Sequence, residues 1–132
     1  VIETMLKTNQ EIVAPFLICD PESKKGKYSN YHCKIDDNGY YKESYEYHEI
    51  YDRKITGIIE VPVVHCTYFI NKKALKKREL SYFDDSVRME YVIFSDSARK
   101  NKIGQYLDNR DIYGWLTFAE TYDEFEKEKL YK

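Results

Sequence analysis

Glycine is scarce in this 132-residue chain, at five residues, and none falls into a G-x-G-x-x-G or Walker arrangement. A phosphate cradle built from closely spaced glycines is therefore excluded, as is the strained G-x-S-x-G elbow of a serine hydrolase. Cysteine is limited to Cys19, Cys33 and Cys66, an odd number without a C-x-x-C pair, so the spacing does not suit zinc. Three buried thiols are expected; one disulfide plus one free thiol is the alternative in a secretory setting. His32, His48 and His65 lack H-E-x-x-H spacing, and His32 beside Cys33 is too little to define a metal site. No apolar run approaches the ~18–20 residues that span a bilayer, so no membrane span is expected. A charge excess is missing too: 21 basic against 23 acidic residues give a net charge of −2, which argues against a dedicated nucleic-acid binder. Val1-Ile2-Glu3-Thr4 has neither the charged start nor the apolar stretch of a signal peptide. With no initial methionine, an upstream segment is expected to have been removed or lost.

What is present fits one globular domain: 42% of residues are apolar and 33% charged. Tyrosine stands out at 14 residues, seven of them between Tyr28 and Tyr51. Such a cluster suits either a stacking surface for sugars or peptides, or a half-buried sheet face with wet hydroxyl tips. The most informative stretch is 57–70, Gly-Ile-Ile-Glu-Val-Pro-Val-Val-His-Cys-Thr-Tyr-Phe-Ile. It is the longest β-branched apolar run and reads as a buried strand, yet Pro62 cannot donate to a ladder and a plain core strand has no need of His65. His65 is either a satisfied core histidine or part of a site.

Along the chain, 2–7 reads as the end of a helix with Ile2, Met5 and Leu6 on one side. Residues 11–19 read as a mostly buried strand that Pro15 interrupts or confines to an edge, 20–27 as a polar loop, and 28–35 as a second strand. Asp36-Asp37-Asn38-Gly39 marks a turn. Residues 40–54 have no clear period. Asn71 is a plausible cap for a short helix over 72–79, whose cations form a solvated face. Phe83, Val87, Tyr91, Phe94 and Ala98 recur at helical steps, which predicts a helix over 86–100. A strand over 102–107, a turn at Asp108-Asn109 and a charged helix over 121–132, capped by Thr121 with Glu124 three residues on, complete an α/β pattern.

Carboxylates carry the most accessible chemistry. Asp84-Asp85 precede the long helix and Glu90 lies in its first turns, where carboxylates serve first as caps and dipole partners. A general base there would have to face a cleft and reach an acceptor hydroxyl. No convincing Asp-x-Asp for a metal is present.

Four segments, in order, resemble the procollagen galactosyltransferases, which glycosylate hydroxylysine in collagen. Ile12-Val13-Ala14-Pro15-Phe16-Leu17 resembles their VVAPML strand. Tyr28-Ser29-Asn30-Tyr31, then Cys33, then Gly39-Tyr40-Tyr41-Lys42 resemble YSNFWCG…GYYKR. The run from Val61 to Ile70 resembles VPMVHSTFLI, and Tyr113-Gly114-Trp115-Leu116 resembles YGFL. The similarity covers about residues 5–118. The accessory glycosyltransferase-like module of procollagen lysyl hydroxylases shares the same strands. The resemblance implies a partial GT-A-like nucleotide-sugar domain, a mixed sheet with flanking helices. The chain would form the acceptor-side half of a single domain lacking its N-terminal nucleotide-binding half. It further implies a UDP-sugar donor, a collagen-like hydroxylysine acceptor and Mn2+, whose Asp-x-Asp ligands would lie upstream of this chain. An endoplasmic reticulum lumen setting follows from the family. The family's SFDD aligns in two ways. Matching by words puts its acidic pair on Asp84-Asp85, while an ungapped count back from Tyr113-Gly114 puts it on Met89-Glu90. Glu90 is thus the first candidate base and Asp85 the second. On the same resemblance Tyr28, Asn30 and His65 would orient hydroxyls of sugar or acceptor, and Tyr31, Tyr40 and Tyr41 would stack on sugar or peptide. A half-domain would leave open strand edges, so self-association is expected.

Overall fold

A computed structural model describes residues 1–19, 27–76, 79–117 and 121–130. The predicted loop over 20–27 lies outside them except for Lys27, as do residues 77–78 of the predicted 72–79 helix and 131–132 of the C-terminal one. The architecture is mixed α/β, as the sequence implies. Its elements are α1 (Ile2–Lys7), β1 (Ile12–Pro15), β2 (Leu17–Ile18), β3 (Tyr31–His32), β4 (Lys34–Ile35), β5 (Tyr41–Lys42), α2 (Tyr45–Tyr51), β6 (Ile58–Glu60), β7 (Val63–Val64), β8 (Phe69–Ile70), α3 (Lys72–Lys76), α4 (Glu90–Lys100), β9 (Gln105–Asp108), β10 (Gly114–Trp115) and α5 (Tyr122–Leu130).

The centre is a four-stranded mixed sheet in the order β6-β9-β1-β8. β1 runs parallel to β9, with Ile12 opposite Gln105, and antiparallel to β8. All four β1 residues are buried, the pattern of a strand covered on both faces. The interruption expected at Pro15 occurs one residue later. At Phe16 the chain leaves the sheet, and β2 then pairs with β10. Phe16 N–H donates to the Asp108 carbonyl at 2.9 Å, and Tyr113 N–H donates to the Phe16 carbonyl at 3.0 Å, so the two sheets are stitched at this residue.

The single strand expected over 57–70 is three short ones in three pairings. β6 pairs with β9, β7 with β3, and β8 with β1. Pro62 ends the first ladder, and its carbonyl accepts instead from Arg99 Nη1 at 2.5 Å and Gln105 Nε2 at 3.0 Å. Cys66, at φ +65°, turns the chain again before β8. Two breaks in fourteen residues point the apolar side chains in several directions, which a period count cannot show.

Other corrections are local. Only Met5 of α1 is buried; Ile2 and Leu6 are exposed. The long helix starts at Glu90, not Ser86, because the Asp84 carboxylate accepts from Ser86 N–H at 3.0 Å and Asp85 sits at φ +66°. Phe83 and Val87 therefore lie outside the helix and are exposed. The unassigned 40–54 stretch contains α2, capped by Ser44 Oγ accepting from Tyr47 N–H at 3.2 Å. The predicted turn joins β4 to β5, with Gly39 at φ +89°, and Asn71 caps α3 by accepting from Lys73 N–H at 2.9 Å. All three cysteines are free, and Cys66 is exposed where buried thiols were expected. No helix among the described residues is long and apolar enough to cross a membrane.

Two of the seven clustered tyrosines, Tyr31 and Tyr47, are core, while Tyr28, Tyr41 and Tyr45 are exposed. Tyr31 and Tyr47 stack at 4.7 Å between centroids, joining β3 to α2. Their hydroxyls donate to the carbonyls of Tyr47 at 2.7 Å and Lys27 at 3.0 Å, so neither needs solvent.

Candidate functional site

The β3–β7 pair, the β5–α2 connection and the first turn of α4 surround a cavity of about 500 Å³. Its floor is Tyr31, Tyr47 and His32, its wall His65 and Tyr91, and its rim Tyr28, Tyr41, Glu43 and His48. The His32 ring sits edge-on to Tyr41 at 5.5 Å, to His65 at 5.4 Å and to Tyr91 at 5.8 Å, and His65 lies 4.9 Å from Tyr91. Burial pulls both imidazoles down to about 4, with the His65 ring adding to the effect on His32; both are neutral at pH 7. His65 Nδ1 lies 3.0 Å from Cys66 Sγ. Lys27 Nζ pairs with Asp52 at 2.8 Å, while Glu43 contacts His48 and accepts from the Tyr41 hydroxyl at 2.8 Å.

A second depression, of about 420 Å³, adjoins the first. Tyr91 belongs to both, and Glu90, Arg88, Cys66, Tyr68 and Tyr82 line the second. Tyr68 and Tyr82 stack on Phe94 of α4 at 5.3 and 4.5 Å, and their hydroxyls touch. Arg88 fixes the entry to the helix, with Nη2 donating to Asp84 at 2.5 Å and to Asp96 at 3.2 Å, and Nη1 to the Asn38 carbonyl at 3.1 Å. Hydrogen bonds from Ser86 and Arg88 hold the Asp84 carboxyl down at about 2.

The residues singled out from sequence divide between these places. Tyr28, Tyr31, Tyr41 and His65 meet at the aromatic cavity. Glu90 stands on the exposed first turn of α4, facing the second depression. Asp85 is on the exposed segment before it and lines neither. Tyr40 supports that helix start, its hydroxyl accepting from Met89 N–H at 3.0 Å. Asn30 is fully buried, with its amide spent on backbone. Oδ1 accepts from Leu17 N–H at 3.1 Å, and Nδ2 donates to the Pro15 carbonyl at 2.8 Å, bridging the break at Phe16. A role toward sugar hydroxyls gives way there to a structural one. Sequence reasoning missed His32, Tyr47 and Tyr91 as cavity residues. Tyr91 was visible as part of a helical stripe, but nothing in the stripe distinguishes a cavity wall from core. Among the described residues no three His, Cys, Asp or Glu side chains gather as a metal cluster.

Comparison with known proteins places these features in a family. The model for glycosyltransferase family 25, N-terminal domain, matches residues 1–129. The chain is 32% identical over 120 residues to human procollagen galactosyltransferase 2, covering 87% of this chain and 18% of that protein. It is 30% identical over 121 residues to zebrafish (Danio rerio) procollagen galactosyltransferase 1, covering 88% and 19%. To a Drosophila melanogaster procollagen-lysine,2-oxoglutarate 5-dioxygenase it is 28% identical over 125 residues, covering 93% and 16%. The chain thus spans less than a quarter of the length of these relatives. The mixed sheet with its flanking helices is consistent with a partial GT-A-like domain, and the chain belongs to glycosyltransferase family 25.

Proposed function

We propose that this chain forms the acceptor-side face of a hexosyltransferase that moves galactose or glucose from a UDP-sugar to hydroxylysine in collagen or collagen-like chains. The observation that carries the reading is the pairing of an aromatic cavity with a carboxylate-bearing depression across Tyr91. Flat aromatic faces and neutral imidazoles suit a sugar, and Glu90 beside them is the candidate base for the acceptor hydroxyl. Glu90 is exposed, so it is free to meet a peptide arriving from solvent. The collagen acceptor is suggested by the relatives, which are procollagen galactosyltransferases. Glu90→Gln in the full-length protein should lower transfer by about 10²–10⁴-fold, the usual contribution of a general base, with an unchanged melting temperature. Unaltered turnover would remove Glu90 from the role and pass it to Asp85.

A second reading is a non-catalytic accessory module of a procollagen lysyl hydroxylase-type protein. The similarity to the Drosophila dioxygenase over 93% of this chain favours it. Thermal unfolding with UDP and manganese separates the two. A ligand present at a hundred times its dissociation constant stabilises by about 2.7 kcal/mol; an unmoved transition at millimolar concentrations supports the module.

A further inference from the structure

His32 is 6% exposed, and its Nδ1 has no hydrogen-bond partner among the described residues. Buried polar atoms in native folds are nearly always paired, and one left open calls for an explanation. The imidazole packs edge-on against His65 at 5.4 Å and Tyr91 at 5.8 Å, and His65 lies 4.9 Å from the same Tyr91. Three elements therefore meet in one aromatic contact: β3 through His32, the residue after β7 through His65, and α4 through Tyr91. Such a contact accepts two imidazoles only while both are neutral. A proton on His32 puts a cation where solvent does not reach, and a second on His65 adds repulsion between like charges.

The surrounding groups do not offset that charge. β5 presents Tyr41 and α2 presents Tyr47, phenols that burial keeps protonated. Burial does the same for the thiols of Cys33 and Cys66 in the adjoining positions. At the mouth, Lys27 is engaged with Asp52, and Glu43 with His48 and the Tyr41 hydroxyl. On α4, Glu90 and Arg88 line the second depression rather than the cavity that holds the imidazoles. The start of α4 is the part of this contact that can give way. Its N-cap, Met89, makes no side-chain cap, whereas β3 and β7 are buried and paired with each other. The carboxylates that fix the helix entry keep their charge in mild acid. Hydrogen bonds from Ser86 and Arg88 hold Asp84 at about 2. Burial pushes Asp96 up, but hydrogen bonds from Lys100 and Arg88 outweigh it and hold the carboxyl below its ordinary value.

We propose that His32 and His65 form an acid-sensitive clasp on α4, in which protonation of the imidazoles releases Tyr91 and the first turn of the helix. The closed contact takes up these protons only near pH 4, whereas a hydrated imidazole takes one at 6.5. Closure is therefore complete above pH 6.5, and opening is favoured as pH falls below it. Between pH 7 and pH 5 the open population grows about twentyfold for one imidazole and at most about four-hundredfold for both. Glu90 moves with the released turn, so acid would also disperse the site. That consequence rests on the transferase reading; the release rests on the histidine contact alone.

The test is amide hydrogen exchange of the whole chain at pH 7 and pH 5, each rate taken relative to an unstructured amide at the same pH. The probes are Val92 and Ile93, whose N–H groups donate to the Met89 carbonyl at 3.1 Å. Phe16 and Tyr113 report global opening, and Asp36 and Gly39 report the β4–β5 turn on the other side of the cavity. Val92 and Ile93 should lose about twentyfold or more of their protection at pH 5, and should exchange faster than Phe16 and Tyr113. Asp36 and Gly39 should hold theirs. His32→Phe and His65→Phe should each remove about twentyfold of the pH response, while His48→Gln, at the rim, retains it. A dispersed amide spectrum shows which variants fold, and either of the first two suffices. Protection at Val92 and Ile93 that ignores pH overturns the clasp, as does protection equal to that of Phe16 at both pH values. A response that survives in the folded clasp variants, disappears in His48→Gln, or falls on Asp36 and Gly39 instead of α4 overturns it too. Release without any transfer by the full-length protein would leave the clasp standing and sink the enzyme reading. Transfer that depends on Glu90, without release, would do the reverse.

Discussion

Asn30 and His32 lie two positions apart and show how differently burial can be used. Asn30 is fully buried with both ends of its amide engaged on the backbone at the Phe16 break. Replacing it by alanine leaves Leu17 N–H and the Pro15 carbonyl unpaired in the interior, at about 1–3 kcal/mol for each group stranded. Asn30→Ala should therefore lower the urea midpoint by the equivalent of about 3 kcal/mol, read by circular dichroism. His32 carries the opposite expectation. Its imidazole titrates near 4 in the fold, against 6.5 as the ordinary value, so the unfolded chain takes up its proton first as pH falls. Stability is full above pH 6.5 and declines as pH drops toward 4. His32 alone accounts for about 2 kcal/mol between pH 7 and pH 5, and His65, drawn down to about the same value, adds a decline in the same direction. His32→Phe should flatten the curve over that interval and be neutral or stabilising at pH 7, since a buried polar atom without a partner is removed. An equal slope in wild type and variant, by urea unfolding at the two pH values, would show that His32 is not held neutral by burial. Neither residue's fate was legible in the sequence. Asn30 was read as a sugar ligand because its local words resemble those of a family, and words do not reveal which backbone groups a distant strand break leaves unpaired.

Elements were legible where a local signal acts alone. The turn at 36–39, the Asn71 cap and the Thr121 cap, whose Oγ1 accepts from Glu124 N–H at 3.2 Å, follow from chemistry within four residues. The failures lie where tertiary pairing overrules a period. The stripe from Phe83 to Ala98 is helical only from Glu90, since Asp84 and Arg88 build a side-chain-bonded entry in place of the first turn. The run from Gly57 to Ile70 is three strands because Pro62 and Cys66 each redirect it. One element-level consequence is open to measurement. At Gly39, φ is +89° and a Cβ would come within 3.0 Å of Val92 Cγ1 on α4. Gly39→Ala therefore meets left-handed strain, of order 1–2 kcal/mol, together with a contact that forces the β4–β5 hairpin away from the helix. A loss of at least about 1 kcal/mol is expected, along with shifted amide resonances in α4. A silent substitution would show that the hairpin does not bear on the helix start.

At the scale of the molecule, the two outer strands of the central sheet, β6 and β8, each pair on one side only among the described residues. Open edges of this kind recruit further strands, and the chain in isolation should self-associate, with a light-scattering mass that rises with concentration. A constant monomer mass would show that these short edges are protected. The α/β class was legible because strands and helices alternate in the pattern; the division into four sheets among the described residues was not, because most of the pairings join partners far apart in sequence. Phe16 supplies the link between two of them. It takes a hydrogen bond from Tyr113 and gives one to Asp108, so the β1–β9 and β2–β10 pairings are joined end to end through one residue. Cooperativity follows from that arrangement. Neither sheet can open at this point without breaking the backbone bonds of the other, so the Phe16 and Tyr113 amides should exchange with solvent only through global unfolding, at the slowest rates in the chain.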